Sequence, residues 1–250
     1  MGATTIEFRL RMAINAIIIL LGFWAPWIEG AGIGKRIPLV EWLALQFSRV
    51  GIASFSIATA ALIALALFLA VLAAAFRISG AAYLGPSTVN SINMIAGRVM
   101  ADGPYRFVRN PLYIGLWCMV ASLAFLMPLS GALFAIVLIT IFMIRLTLGE
   151  EAFLSARIGD SYKAYLQAVP RFFPRLRGAP SPSGAKPQWI RACVAELIPI
   201  GTLAGIIVYA RNYDLALAGR VILIFLGASL IVRAFLPGSV VSSVPEMPEK

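Results

Sequence analysis

The sequence predicts an all-α protein, a polytopic transmembrane helical bundle of about six spans. Two observations predict this class. The chain has 250 residues, of which 60% are hydrophobic and only 13% charged, whereas soluble domains carry roughly 25% charged residues. The charges also leave long uncharged runs at residues 12–28, 50–76 and 110–144. A helix of about 20 apolar residues crosses a bilayer core, so each run is long enough to form a span.

The first two runs give the first two spans. Residues 12–28 follow Arg11 and end near Trp24 and Trp27. Interfacial tryptophans and the lack of a small-residue cleavage site are typical of a retained anchor helix. Residues 50–76, rich in Ala, Leu and Ile, form the second span.

The third run is too long to cross a membrane once. As a single helix, residues 110–144 would measure roughly 52 Å, against a hydrocarbon core of about 30 Å. Pro128 and Gly131 both interrupt helices. We therefore expect a turn within 127–131 and a helical hairpin of two short spans.

An amphipathic helix is expected to follow the hairpin. Leu154, Ile158 and Tyr162 lie four residues apart, and Tyr165 extends the same side. This spacing predicts a helix that leaves the membrane on its cytoplasmic side and ends before Pro170.

The rest of the chain completes a five-part organisation. Residues 178–189 are rich in Pro, Gly and Ser, which is typical of a linker. Two weaker spans fit within 190–236, and 237–250 reads as a disordered tail. Residues 1–76 then hold the N-terminal pair of spans, and 77–177 form the central unit.

The distribution of lysine and arginine orients the bundle. With the N-terminus in the cytoplasm and six spans, 5 of the 21 Lys and Arg residues fall on the far side and 16 on the cytoplasmic side. Such a bias marks cytoplasmic loops. The five are Lys35, Arg36, Arg49, Arg211 and Arg220.

Composition also excludes several kinds of chemistry. The chain has no histidine, which rules out Ser-His-Asp catalysis, His-ligated zinc or haem, and histidine general bases. Cys118 and Cys193 form no CxxC pair and are expected to be packing residues, so no metal site is expected. The net charge of +10 is explained by cytoplasmic loops, and we expect no nucleic-acid partner.

A cluster of polar side chains is expected at the cytoplasmic face, where three segments meet: 77–85, 102–113 and 149–151. Because the third and fourth spans form a hairpin, Arg109 and Glu150 should be neighbours. Adjacent helical positions point about 100° apart, so Glu150 and Glu151 should serve different purposes. Polar groups at membrane depth are costly, and such a cluster therefore indicates a functional site.

The residue types suit a zwitterionic ligand with hydroxyls and a positive centre. Arginine binds a carboxylate through its planar fork. Carboxylates accept hydrogen bonds from ribose hydroxyls or bind an ammonium group, and tyrosine faces attract cations. S-adenosylmethionine carries all these groups, but so do other ligands.

Two motifs carry a family resemblance. The stretch GPYRFVRNPLYIG, residues 103–115, is followed about 35 residues later by GEEAFLSARIGDSYKAYLQAVPRFFP, residues 149–174. Together they closely resemble the isoprenylcysteine carboxyl methyltransferase and phospholipid methyltransferase family of membrane enzymes. The resemblance runs from about Arg77 to Pro174.

The resemblance implies a methyltransferase that uses S-adenosylmethionine, held at the cytoplasmic face in a pocket closed by the amphipathic helix. It implies an acceptor that is a membrane lipid or another lipophilic or small molecule, and a location in a bacterial inner membrane. The implied catalytic residues are Arg109, Asn110, Glu150 and Glu151. The implied cofactor-binding residues are these four and Tyr83, Leu84, Gly85, Tyr105, Arg106, Tyr113, Tyr162, Tyr165 and Arg171.

One departure from the family concerns Asn110, which stands where the family commonly has histidine. Asparagine donates and accepts hydrogen bonds but does not titrate near neutral pH. If the position only holds the cofactor, the change is tolerable. If it served as a base, the acceptor must arrive already deprotonated, as a carboxylate or thiolate would.

Two other functions are open at this point. An NADPH-dependent membrane reductase of the sterol reductase type resembles the same architecture, although no distinct extra basic patch for a 2′-phosphate is evident. A non-catalytic membrane protein that retains the fold is the second alternative, favoured by the missing histidine. The sequence does not choose between prenylcysteine carboxylate, phospholipid amine and small thiol as acceptor, nor does it indicate an oligomeric state.

Overall fold

The computed structural model describes residues 2–24, 37–85, 101–175, 179–182 and 184–235. These residues form helices and connecting segments without strands, which confirms the all-α class. The predicted tail at 237–250, together with Trp27, Lys35 and Arg36, lies outside them. The helices are α1 Thr5–Arg9, α2 Arg11–Trp24, α3 Leu39–Arg49, α4 Phe55–Leu84, α5 Pro111–Ala124, α6 Leu129–Ile158, α7 Asp160–Ala168, α8 Trp189–Ala195, α9 Leu197–Asn212 and α10 Leu215–Phe235, with a 3₁₀ turn at Gly103–Arg106.

The described helices fit a membrane protein. Three of them, α4, α6 and α10, are long and apolar enough to cross a bilayer. The pair α8 and α9 meets the same criterion together but bends by 69° at Glu196, so it counts as a broken span or a re-entrant loop. Two shorter apolar helices, α2 and α5, have 14 residues each. The expected count of about six spans is therefore not confirmed for the described residues.

The predicted hairpin is present. α5 ends at Ala124 and α6 begins at Leu129, so the turn occupies 125–128. The two helices are linked by the Trp117 indole N–H, which donates to the Thr140 hydroxyl at 3.0 Å. Like the α5–α6 pair, α4 and α5 pack along one another, which places three helices around one apolar core.

The predicted amphipathic helix is divided in two. α6 continues from the hairpin without a break to Ile158, and Gly159, with φ of 76°, separates it from α7. Glycine adopts this left-handed conformation without a steric cost. Tyr162 and Tyr165 of α7 still pack with Leu154 and Ile158 on one side, as the spacing predicted.

Two packing features of the N-terminal region were not predicted. Helix α3 buries Val40 and Ala44 in the core that surrounds α4.

The segment before α1 lies along α6, where the Ala3 N–H donates to the Arg145 carbonyl at 2.8 Å. The Arg145 guanidinium also pairs with Glu7 at 2.9 Å. The N-terminus is therefore held one turn away from the Glu150–Glu151 pair.

The close approach of α2 to α6 gives a first prediction. A Cβ at Gly131 would collide with the backbone carbonyl of Gly22, which has no rotatable bond to relieve the clash. We expect Gly131→Ala to lower the free energy of unfolding by about 1–3 kcal/mol, as overpacking usually does. Thermal unfolding in detergent measures it.

The matched control is Gly219→Ala on α10, where an added Cβ meets nothing within 4 Å. Alanine has the higher helix propensity, so this variant should be neutral or slightly stabilised. Equal melting temperatures for the two variants would contradict the proposed close contact of α2 with α6.

Candidate active site

Glu151 is the centre of a buried ion-pair cluster. Its Oε1 lies 3.0 Å from Arg109 Nη1, and its Oε2 lies 2.6 Å from Arg171 Nη2. The Arg171 Nε also donates to Oε1 at 3.1 Å. Glu151 is 7% exposed. Because two arginines share one carboxylate, the cluster carries one excess positive charge.

Backbone contacts hold the two arginines at this carboxylate. Arg109 immediately precedes Asn110 and the start of α5, and its N–H donates to the Pro170 carbonyl at 2.9 Å. The Asn110 Nδ2 donates to the Arg171 carbonyl at 3.3 Å. Asn110 thus cross-links the segment before α5 to the segment after α7, a role that needs a donor and no titratable group.

The neighbouring glutamate has different partners. Glu150 hydrogen-bonds with the Tyr113 side chain and interacts electrostatically with Arg11 of α2. The two glutamates therefore contact different residues, as the helical geometry predicted. The expected proximity of Arg109 to this pair is present, but the arginine pairs with Glu151 and not with Glu150.

Three buried tyrosines adjoin the cluster. The Tyr165 hydroxyl donates to the Tyr105 carbonyl at 2.8 Å, and the rings of Tyr162 and Tyr165 lie 5.9 Å apart. Burial raises the pKa of Tyr162 to about 12 and raises the pKa of Tyr105 and Tyr165 well above its usual range. All three are therefore neutral phenols at physiological pH.

The other predicted site residues lie at the end of α4 and on the 3₁₀ turn. α4 extends past the predicted limit of 76 to Leu84 and ends at Gly85, where φ is 89°. The Tyr83 ring meets the Trp189 ring edge-on at 6.2 Å. The Arg106 Nε donates to the Pro180 carbonyl at 2.8 Å, so this arginine fixes the segment 179–182 against the turn.

Sequence reasoning missed a second buried ion pair. The Arg77 Nε and Nη2 donate to the two carboxylate oxygens of Glu196 at 2.8 and 2.7 Å. In the sequence, Arg77 directly follows the uncharged run 50–76, and Glu196 lies within the weaker spans of 190–236. A carboxylate close to an apolar run was the signal, since such groups are rarely left unpaired.

Two buried donors near the site lack an acceptor among the described residues: Arg109 Nε and Tyr105 Oη. The Tyr105 Oη lies over α4, 3.5 Å from the position that a Cβ at Gly80 would take. Buried polar groups are nearly always paired, so these donors indicate a ligand. No cluster of three or more possible His, Cys, Asp or Glu metal ligands occurs in the described ranges.

The central part of the chain matches a model of a known protein family. Residues 54–161 match the family model for phospholipid methyltransferases. This segment, less than half of the chain, is similar to the phospholipid methyltransferase family. It includes α4, the hairpin and both glutamates, whereas Arg171 lies beyond the matched residues of the phospholipid methyltransferase model.

A curated relative agrees with the assignment. The chain is 37% identical over 80 residues to the Protein-S-isoprenylcysteine O-methyltransferase of Schizosaccharomyces pombe, an alignment that covers 31% of this chain and 34% of that protein. The chain therefore matches about a third of the length of this relative. No solved structure matches the chain.

Proposed function

We propose that the chain is an integral membrane methyltransferase that uses S-adenosylmethionine to methylate a lipophilic or small acceptor. The observation that carries the proposal is the Arg109–Glu151–Arg171 cluster, with its excess positive charge and its buried Arg109 Nε in need of an acceptor. The family of residues 54–161 and the name of the curated relative support a methyltransferase.

The residues present fit S-adenosylmethionine. Arg109 and Arg171 would hold its carboxylate, since an arginine fork matches a carboxylate in charge and geometry. Glu150 would accept from the ribose hydroxyls or bind the ammonium group. The neutral rings of Tyr105, Tyr162 and Tyr165 would face the sulfonium, to which aromatic faces are attracted.

The protein's contribution to such a reaction is positioning. The cofactor, when bound, supplies an activated methyl group, and the site's residues hold the reactants in line and exclude water. The Asn110 side chain already donates to the Arg171 carbonyl. The position of the family histidine therefore serves here to join two segments of the site. We propose that the substitution preserves activity for this reason.

We propose that the site faces the cytoplasm, because 16 of the 21 lysines and arginines lie on that side in the six-span arrangement. The bias does not depend on the last two spans, which follow the site in the chain. The bacterial inner membrane stays a prediction, since the curated relative comes from Schizosaccharomyces pombe.

Ligand binding by the purified, detergent-solubilised protein tests the proposal. We expect S-adenosylmethionine and S-adenosylhomocysteine to raise the melting temperature, with affinities measured by calorimetry, and NADPH to leave it unchanged. Arg109→Ala and the milder Arg109→Lys should weaken binding by roughly 10- to 100-fold, the value of a hydrogen bond between charged partners.

The control is Arg175→Ala, which removes an exposed arginine whose backbone N–H donates to the Phe107 carbonyl. Binding should be unchanged in this variant. Stabilisation by NADPH alone would indicate a reductase instead, and no response to any of the three ligands would favour a non-catalytic membrane protein.

A further inference from the structure

Thr147 of α6 differs from the other threonines in the interiors of α4, α6 and α9. The hydroxyls of Thr59, Thr140 and Thr202 each donate to the carbonyl four residues earlier, at 2.8, 2.6 and 3.1 Å. A helix commonly satisfies a threonine in this way. Thr147 is 0% exposed, yet its Oγ1 has no hydrogen-bond partner among the described residues. A buried hydroxyl without a partner is costly, so this side chain calls for an explanation.

Thr147 lies on the side of α6 that faces α5. Seven residues before it, Thr140 accepts a hydrogen bond from Trp117 of α5 at 3.0 Å. Four residues after it, Glu151 pairs with Arg109, which lies just before α5. Positions four and seven residues apart share one side of a helix, and the Cβ atoms of the nearer pair are roughly 5–6 Å apart. Thr147 is therefore one helical turn from the carboxylate at the centre of the ion-pair cluster.

Arg109 has a donor that Glu151 does not use. Arg77 and Arg171 each bind a glutamate through Nε and Nη2, the two nitrogens on one edge of the guanidinium. Arg109 contacts Glu151 through Nη1, which is not part of that edge. Its buried Nε has no acceptor in the part of the chain that the structure describes. The edge with which arginine binds a carboxylate in a bidentate manner therefore stays available in Arg109.

A carboxylate suits these two unpaired polar atoms. Arg109 Nε is a permanently charged donor, which repels a cation. The Thr147 hydroxyl is neutral and can donate a hydrogen bond. A carboxylate has two oxygens and about four lone-pair sites, so it can accept from both residues at once. Its charge also offsets the excess positive charge that Glu151 leaves on the two arginines.

We propose that Thr147, together with Arg109, binds the carboxylate of S-adenosylmethionine. The inference rests on the proposed function and adds a ligand-binding residue that the sequence motifs do not indicate. It places the amino-acid end of the cofactor against the side of α6 that faces α5. Arg109 Nε and the Thr147 hydroxyl both donate to the carboxylate oxygens.

Calorimetric binding of S-adenosylmethionine and of its decarboxylated form to the detergent-solubilised protein tests the proposal. Thr147→Val removes the hydroxyl and nearly keeps the shape of the side chain. We expect it to weaken the affinity for S-adenosylmethionine by roughly tenfold. The affinity for the decarboxylated form should not change, because that ligand lacks the group that Thr147 binds. Thr147→Ser keeps the hydroxyl and should retain most of the affinity.

The melting temperature without ligand separates binding from folding. Thr147→Val removes a hydroxyl that has no partner among the described residues, so the ligand-free variant should be as stable as the unchanged protein or more stable. The control is Thr202→Val on α9, which removes a buried hydroxyl that donates to the Ile198 carbonyl. This control should lower the melting temperature and leave both affinities unchanged.

Three results would overturn the proposal. The first is an equal loss of affinity for the two ligands in Thr147→Val, or a loss for neither. The second is a lower ligand-free melting temperature with unchanged affinity, which would indicate that the Thr147 hydroxyl binds a buried water. The third is the absence of binding of either ligand to the unchanged protein, in which case the proposed function fails as well.

Discussion

Glu151→Gln is expected to lower the free energy of unfolding by about 3 kcal/mol, because it leaves two arginines facing a neutral amide in a buried site. This value is at the lower end for broken buried ion pairs, since the Arg171 side chain is 40% exposed and stays partly hydrated. The Arg109 side chain is only 13% exposed and carries most of the effect. Thermal unfolding in detergent measures the change.

Glu150→Gln is the matched comparison one residue away. A glutamine still accepts a hydrogen bond from Tyr113, so the expected loss is about 1 kcal/mol or less. If the two variants lowered the melting temperature equally, the assignment of Glu151 as the shared partner of both arginines would be wrong. S-adenosylmethionine affinity, measured on both variants below their melting temperatures, separates loss of fold from loss of binding.

Glu196→Gln is the second large effect, with an expected loss of about 3–5 kcal/mol. Both oxygens of Glu196 accept from Arg77, and the glutamate side chain is 2% exposed. The amide would leave the Arg77 guanidinium without its counter-charge between α4 and α9. Thermal unfolding in detergent measures this loss of stability as well.

A double variant distinguishes a broken pair from a cavity. Arg77→Met combined with Glu196→Leu removes both charges, and hydrophobic pairs often replace buried ion pairs without loss of stability. We expect the double variant to recover most of the loss in stability. Additive losses in the double variant would contradict the pairing of these two residues.

The sequence predicts the hairpin, and it predicts that segments 102–113 and 149–151 lie close together, as the Arg109–Glu151 pair shows. The uncharged run 110–144 was too long for one span, and α5 and α6 do fold back on each other. The angle between adjacent helical positions separated Glu150 from Glu151, and the structure gives them different partners. These predictions rest on chain length and helix geometry, which are local properties.

Properties set by distant packing were not predicted. The partner of Arg77 lies 119 residues away, and nothing near either residue indicates the other. The break at Gly159 was missed because the apolar side continues across it. The count of about six spans is not confirmed among the described helices, and hydropathy alone does not show that α8 and α9 meet at a sharp bend.

The long separation between Arg77 and Glu196 has a consequence for biosynthesis. A ribosome makes α4 with its arginine 119 residues before the matching glutamate is polymerised. Synthesis at roughly 5–20 residues per second leaves a delay of roughly 6–24 seconds. During that interval the Arg77 guanidinium lacks the carboxylate that pairs with it in the folded protein.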